Sequence, residues 1–303
     1  MTGDSDYVSG VVEWSLRVHP RVAAVTMVFD EADLLPVWMR HYARQVGADQ
    51  CYVIDHGSSA PLAVDSGVNV LRIPRSPHDD LRRAAFIGDF IAAALRYYDW
   101  ALYTDVDELL LADPSRHPNL PAYCGSLDID TVTAIGFDIQ QVPDTEAALE
   151  TARAIGAQRQ WVRFTSAMCK PVLTRVPLVW SPGFHSADCL PIFDALFLFH
   201  LHWADRVIGL RRLAKTRVMP WADDGFGAHQ RVSDNQWLAL FDGMARLPQR
   251  DPLPFTLKEP CLAWWLSQTR QSAKLQGDQP ATLQLDLNAS ELWPIPDTFR
   301  ARL

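Results

Sequence analysis

This chain of 303 residues has no glycine-rich phosphate loop: neither G-x-G-x-x-G nor a Walker sequence occurs in it. A dinucleotide dehydrogenase and a P-loop enzyme are therefore disfavoured, since both cradle phosphate on the backbone N–H groups of such a loop. G-x-S-x-G is missing as well, which disfavours the nucleophile elbow of a serine hydrolase. Cysteine is scarce and unpaired in spacing. The five residues Cys51, Cys124, Cys169, Cys189 and Cys261 suggest neither a disulfide framework nor a zinc cluster, and reduced thiols are expected. No apolar run reaches the roughly 18–20 residues that span a bilayer. Met1 to Gly10 lacks the basic flank and apolar stretch of a secretory signal. Positive charge is also short, with 28 Lys and Arg against 36 Asp and Glu, a formal net charge of −8. That weighs against a nucleic-acid partner, whose phosphates need a basic surface. The expectation is a cytoplasmic protein with no transmembrane segment and at most a peripheral contact with membrane.

What is present is ordinary globular material, 48% hydrophobic and 21% charged, enough to bury a sizeable core. Arg21 to Phe29 is an apolar, β-branched run that reads as a buried strand. Leu34, Leu35, Val37, Trp38, His41, Tyr42 and Val46 follow at helical spacing, and Gly47 closes that helix. Gln50 to Ile54 and Val68 to Ile73 read as strands, Asp79 to Tyr98 contains a long amphipathic helix, and Trp100 to Thr104 reads as a fourth strand. This order predicts an α/β fold with a mainly parallel sheet and helices on both faces. Later strands are expected over 131–137, 164–175 and 195–201, the second holding Lys170 and Pro171. Proline there suggests an edge or a strand start. Residues 144–159 are poorly patterned, Val207 to Lys215 reads as a basic helix, and residues 248–303 are punctuated by proline.

The stretch Asp99-Trp100-Ala101-Leu102-Tyr103-Thr104-Asp105-Val106-Asp107-Glu108 runs a short apolar strand into three carboxylates. On an extended chain residues two apart point to one side, so Asp105 and Asp107 are expected to aim at one spot. Like charges at a buried strand end repel and lose hydration, unless a cation neutralises them or they open into a polar cleft. Mg²⁺ or Mn²⁺ suits oxygen ligands of this kind and leaves places for substrate phosphates. Ligands bind open α/β sheets at the carboxyl ends of the strands. Asp30-Glu31, Asp55 to Ser59 and Asp105 to Glu108 all fall at such ends.

Two quoted segments carry a resemblance. VFDEADLLPVWMRHYARQVGADQCYVIDHGSS, from Val28 to Ser59, and WALYTDVDELL resemble glycosyltransferase family 2-like enzymes and their D-x-D segment. Farther on, Lys170-Pro171-Val172, Gly183-Phe184-His185 and His200-Leu201-His202 are similar in order to elements of glycosyltransferase family 92 and related domains. Asp30 stands where the family commonly has asparagine, and His56 where asparagine or aspartate is common.

The resemblance implies a GT-A fold with a Rossmann-like nucleotide-binding half over residues 21–218. It leaves a flexible segment at 1–20 and a C-terminal extension, 219–303, packed on the core. It implies a metal-dependent hexosyltransferase that moves a sugar from a UDP-sugar to a glycan or lipid-linked acceptor. Asp55 would contact the base or ribose, Asp105 the ribose or sugar, and Asp107 the metal bridging the diphosphate. Asp105 and His202 are further expected metal ligands. Glu31 would either cap the first helix or line the nucleotide pocket. Arg82, Arg83, Arg211, Arg212 and Lys215 are candidates to meet phosphate, where a helix N-terminus or a basic face permits it. His185 and Asp188 are the candidates for the base that deprotonates the acceptor hydroxyl. Trp221, Trp237 and Trp264-Trp265 could stack on sugar rings. A metal-dependent nucleotidyltransferase, a phosphatase or hydrolase, and a non-catalytic nucleotide-sugar-binding protein are the alternatives.

Overall fold

A computed structural model of the protein describes residues 19–223, 227 and 230–303, so nearly all of the expected flexible segment 1–20 lies outside the described residues. The first half alternates strands and helices: β1 (Val22–Val28), α1 (Leu35–Val46), β2 (Cys51–Asp55), β3 (Asn69–Arg72), α2 (Asp80–Ala94) and β4 (Trp100–Tyr103). These strands lie in the order β3-β2-β1-β4 and every pairing among them is parallel. Alternate residues of β1 feed two separate apolar clusters. Val22, Ala24 and Val28 pack with Leu35, Trp38 and Tyr42 of α1. Ala23 and Val25 pack with Ala84, Ile87 and Ile91 of α2. Helices therefore cover both faces, as the two-residue side-chain period of a strand requires. α1 stops at Gly47, whose φ of 99° favours a residue without Cβ. α2 is capped by Asp79, which accepts from the Arg82 N–H at 3.0 Å, and runs to Ala94, inside the stretch expected to contain it. There the chain turns back into β4, pinned where the Arg21 N–H donates to Asp99 Oδ2 at 2.7 Å.

The second half is mixed rather than parallel. It comprises β5 (Glu108–Ala112), α3 (Leu120–Cys124), β6 (Thr131–Gln140), β7 (Trp161–Phe164), β8 (Pro171–Thr174), β9 (Phe193–Trp203) and α4 (Arg206–Val218). β8 is antiparallel to both β4 and β6, and so joins the two halves of the sheet. β9 runs parallel to β6 and antiparallel to β5. The stretch 164–175, expected to hold a strand with Lys170 and Pro171, takes in the last residue of β7 and the whole of β8, two strands separated by a 3-10 turn at Ser166–Met168, with Lys170 just ahead of β8. Pro171 opens the second of them, a position where its missing N–H is tolerated.

The remaining elements are α5 (Asp234–Ala245), α6 (Pro260–Ser272), the hairpin β10 (Lys274–Gln276) and β11 (Gln279–Thr282), β12 (Trp293–Pro294) and α7 (Asp297–Arg300). β12 pairs with β7, and Phe255, Trp293, Ile295, Phe299 and Leu303 enter the same core as the central strands. Phe255 stacks on Phe137 of β6 with ring centroids 4.8 Å apart.

One buried group sets a pH limit on this core. His41 is 2% exposed and its Nε2 meets the Leu110 carbonyl at 2.9 Å. Burial, with Arg44 and Arg40 adding to it, lowers its pKa from 6.5 to about 4. The unfolded imidazole takes up a proton below about 6.5 and the folded one only below about 4, so stability falls as pH drops through that window. The full loss from this group is about 3 kcal/mol. In urea titrations between pH 7 and 4, His41→Gln is expected to flatten the pH dependence by about one proton. An unchanged slope would show that His41 is not the group titrating.

Candidate functional site

The carboxyl ends of β1, β2 and β4 lie along one edge of the sheet, and the acidic segment folds there as a turn. The expectation of an extended chain with Asp105 and Asp107 on one side is corrected. The Glu108 N–H donates to the Asp105 carbonyl at 3.0 Å, and the Asp105 N–H donates back to Glu108 Oε2 at 3.0 Å. The reversal is required because β5 must turn away to lie against β9. The carboxylates consequently diverge to different partners.

Asp105 faces α2. It is paired with Arg83, accepts from the Tyr103 hydroxyl at 3.0 Å, and lies 3.5 Å from Lys170 Nζ. Burial opposes its ionisation, but Arg83 and Lys170 outweigh burial and bring its pKa down to about 2. Lys170 is 4% exposed and donates to Glu108 Oε1 at 2.6 Å. Burial pulls the ammonium down, and Glu108 and Asp105 more than offset it, so its pKa is raised.

Asp107 faces α4 and β9. Its Oδ2 is paired with Arg212 and lies 3.3 Å from His200 Nε2. Against burial, Arg212 and His200 hold its carboxyl well below the usual range. His200 is bracketed on its other side by Asp138, 2.8 Å from Nδ1. Burial disfavours the imidazolium, but Asp107 and Asp138 outweigh it and push the pKa up to about 10. His202 behaves oppositely. Burial and the neighbouring His200 charge lower it to about 4, and the Trp237 indole N–H donates to its Nε2 at 3.3 Å.

Asp107, His200 and His202 each offer a ligand atom, all within 4.8 Å of one another. The metal set expected from the sequence is Asp105, Asp107 and His202. The structure gathers two of these, adds His200, and ties Asp105 to Arg83 and Lys170 instead. One carboxylate and two imidazoles fit a divalent first-row ion such as Mn²⁺ better than Mg²⁺, which prefers oxygen throughout. The Nδ1 contact of His200 with Asp138 resembles the carboxylate support that commonly orients a ligating imidazole.

The other expected residues are distributed along this edge and beyond it. Glu31 is 9% exposed and paired with Lys215, whose Nζ also donates to the Phe29 carbonyl at 3.0 Å and the Asp30 carbonyl at 3.2 Å. Asp30 has a φ of 50°, a conformation in which aspartate and asparagine are favoured among non-glycine residues. It accepts from Ser59 N–H at 2.7 Å, tying the β1 loop to the β2 loop. Asp55 is occupied within that second loop: Oδ1 accepts from the Ser58 N–H and Oδ2 from Arg72, both at 2.8 Å. Arg82 is exposed, and Arg83 is the α2 cation that reaches the cluster. The ring of Phe184, next to His185, lies 4.2 Å from that of Tyr103, while His185 Nδ1 contacts the Ala167 carbonyl at 2.7 Å. Asp188 accepts from the Val179 N–H at 2.9 Å and borders a hollow of about 510 Å³ with Thr131 and Val176. Thr131 pairs with Thr174, which faces Ala101 near the start of β4, so Asp188 sits toward the opposite edge from Asp105. Of the tryptophans, Trp237 is buried, Trp265 is stacked on Phe164, and Trp264 is 55% exposed.

Arg83 could have been preferred to Arg82 from spacing alone, because it stands four residues before Ile87 on the buried face of α2. Asp138 and Tyr103 carry no comparable signal, since their roles arise from strands that meet only in the folded sheet.

No family model matches this chain, and no curated protein matches it. Among solved structures it is similar to a mannosyltransferase from Pyrobaculum calidifontis in complex with GDP-Man and Mn²⁺. Identity there is 16% and the TM-score 0.24, over 41% of this chain and 36% of that one. A likeness this slight carries no argument about chemistry.

Proposed function

We propose that the chain is a glycosyltransferase of the GT-A type, moving a sugar from a UDP-sugar to the hydroxyl of a glycan or lipid-linked acceptor. The observation that supports it best is the grouping of Asp107, His200 and His202 beside the β4–β5 turn, at the edge where open α/β sheets receive ligands. A divalent cation bound by these three residues would supply charge neutralisation for the departing diphosphate. The cations that line the edge, Arg83, Arg212 and Lys215, are donors for phosphate oxygens as charge grows on them. Asp55 shapes the loop that receives the nucleoside rather than reaching out of it. Of the two candidates for the base, His185 is the nearer to Asp105, through Phe184 and Tyr103.

The experiment is a thermal-shift series with UDP. At about a hundredfold excess over Kd, UDP with Mn²⁺ is expected to stabilise the protein by roughly 2.7 kcal/mol, an upward shift of about 5 °C. Mg²⁺ should support less of the shift, and EDTA should remove it. An equal shift in EDTA would count against a metal-assisted donor site. Slow release of sugar from the UDP-sugar in Mn²⁺, without acceptor, would separate an enzyme from a binding protein.

A further inference from the structure

The carboxylates along this edge are already paired. Glu31, Asp105, Asp107, Glu108 and Asp138 supply the carboxylates. Each is paired with a resident cation, Arg83, Lys170, Arg212, Lys215 or Arg163, and Arg83 also lies 3.7 Å from Asp80. A divalent cation added to such a cluster meets carboxylates that already hold a cation. It is bound well only if a resident cation withdraws or an anion arrives with it. Two groups sit on the metal-ligating carboxylate: His200, itself one of the candidate ligands, 3.3 Å from Asp107 Oδ2, and Arg212, paired with the same oxygen.

Arg212 is also the group best able to withdraw. Its Nε lies 3.4 Å from Glu31 Oε1, so a second carboxylate is at hand, and its side chain is 21% exposed while Asp107 is 7% exposed. The helix that carries it is anchored at the other end. Asp205 caps α4 through the Val207 and Ile208 N–H groups at 2.9 and 2.8 Å, and its Oδ2 accepts from the Leu149 N–H at 2.7 Å. Arg159, 1% exposed, holds Asp205 at 3.4 Å and donates to the Ala204 carbonyl. With the helix pinned, movement falls to the long Arg212 side chain. Lys215, one turn on, lies on Glu31 in the same way.

We propose that Arg212 is an exchangeable counter-ion: it occupies Asp107 in the ligand-free protein, yields that carboxylate to the metal, and transfers to the diphosphate of the donor. This rests on the metal site proposed above and adds the residue that links metal to nucleotide. The exchange makes the two ligands cooperative. Mn²⁺ alone must displace Arg212 at a loss, whereas Mn²⁺ with UDP gives the displaced guanidinium an anion, for which its planar fork is suited.

Isothermal titration of Mn²⁺ into the whole protein, with and without UDP, tests it. In the wild type, UDP is expected to tighten Mn²⁺ binding about tenfold or more. Arg212→Gln should bind Mn²⁺ alone about tenfold more tightly than the wild type, and the tightening by UDP should shrink by about the same factor, leaving only the direct contact of metal with diphosphate. Arg212→Lys, which keeps the charge, should retain most of the coupling and guards against a folding defect in the glutamine variant. Unchanged or weaker Mn²⁺ binding by Arg212→Gln, or full coupling in that variant, would overturn the exchange while leaving the metal site standing. Absence of Mn²⁺ binding by wild type and variants alike would overturn both.

Discussion

Asp107→Asn is expected to lower Mn²⁺ affinity by about 100-fold and to erase the metal-dependent part of UDP stabilisation, about 5 °C under the conditions above. The carboxylate is the one oxygen donor in the grouping with His200 and His202, and asparagine keeps its shape while removing its charge. The fold should survive, because each neighbour keeps a second partner. Arg212 retains Glu31 at 3.4 Å, and His200 retains Asp138 at 2.8 Å. Calorimetric titration of Mn²⁺, with a melting curve of the free variant, checks both halves of the statement. A variant that binds Mn²⁺ as well as the wild type would remove Asp107 from the metal site. One that melts far below the wild type before any ligand is added would make the carboxylate structural.

The largest effect on stability is expected at Lys170. Its ammonium is 2.6 Å from Glu108 Oε1 and 3.5 Å from Asp105 Oδ2, in a place where both Lys170 and Glu108 are buried. Lys170→Met leaves Glu108 buried without a cation, and removing one partner of a buried pair costs about 3–5 kcal/mol. The double variant Lys170→Met with Glu108→Gln should recover more than half of that loss, because the orphaned charge is gone and the amide can still accept from the Asp105 N–H. Urea denaturation of the single and double variants gives the comparison. A single variant within about 1 kcal/mol of the wild type would mean that Glu108 needs no partner.

Much of the parallel half is legible in the order of residues alone. β1 announces itself as an apolar β-branched run, α1 by its spacing and closing glycine, and the β4–β5 junction by carboxylates following Trp100 to Tyr103. The partners that answer those carboxylates are not legible. Arg83 lies 22 residues from Asp105, Lys170 lies 62 from Glu108, and Arg212 lies 105 from Asp107. No local pattern encodes pairs at such separations, which exist only once β8, β9 and α4 have been laid against β4 and β5. Strand direction is hidden for a related reason. β8 has four residues, all buried, and an apolar run of that length carries no mark of the direction in which it will be paired. The turn at Asp105 escapes a reading by alternation, because the strand period holds only as far as Tyr103, where β4 ends.

The pairing of β12 with β7 imposes an order in time. β3-β2-β1-β4 draws only on residues up to Tyr103, so that unit can assemble from contacts already available early in synthesis. The aromatic centre of the second half cannot, because Phe137 waits for Phe255 and Trp293, more than a hundred residues downstream. Until Trp293 emerges, β7 offers an open flank and the rings around Phe137 lack their cover, a state in which chains tend to associate wrongly. The nascent chain therefore keeps that flank open until Trp293 has been made.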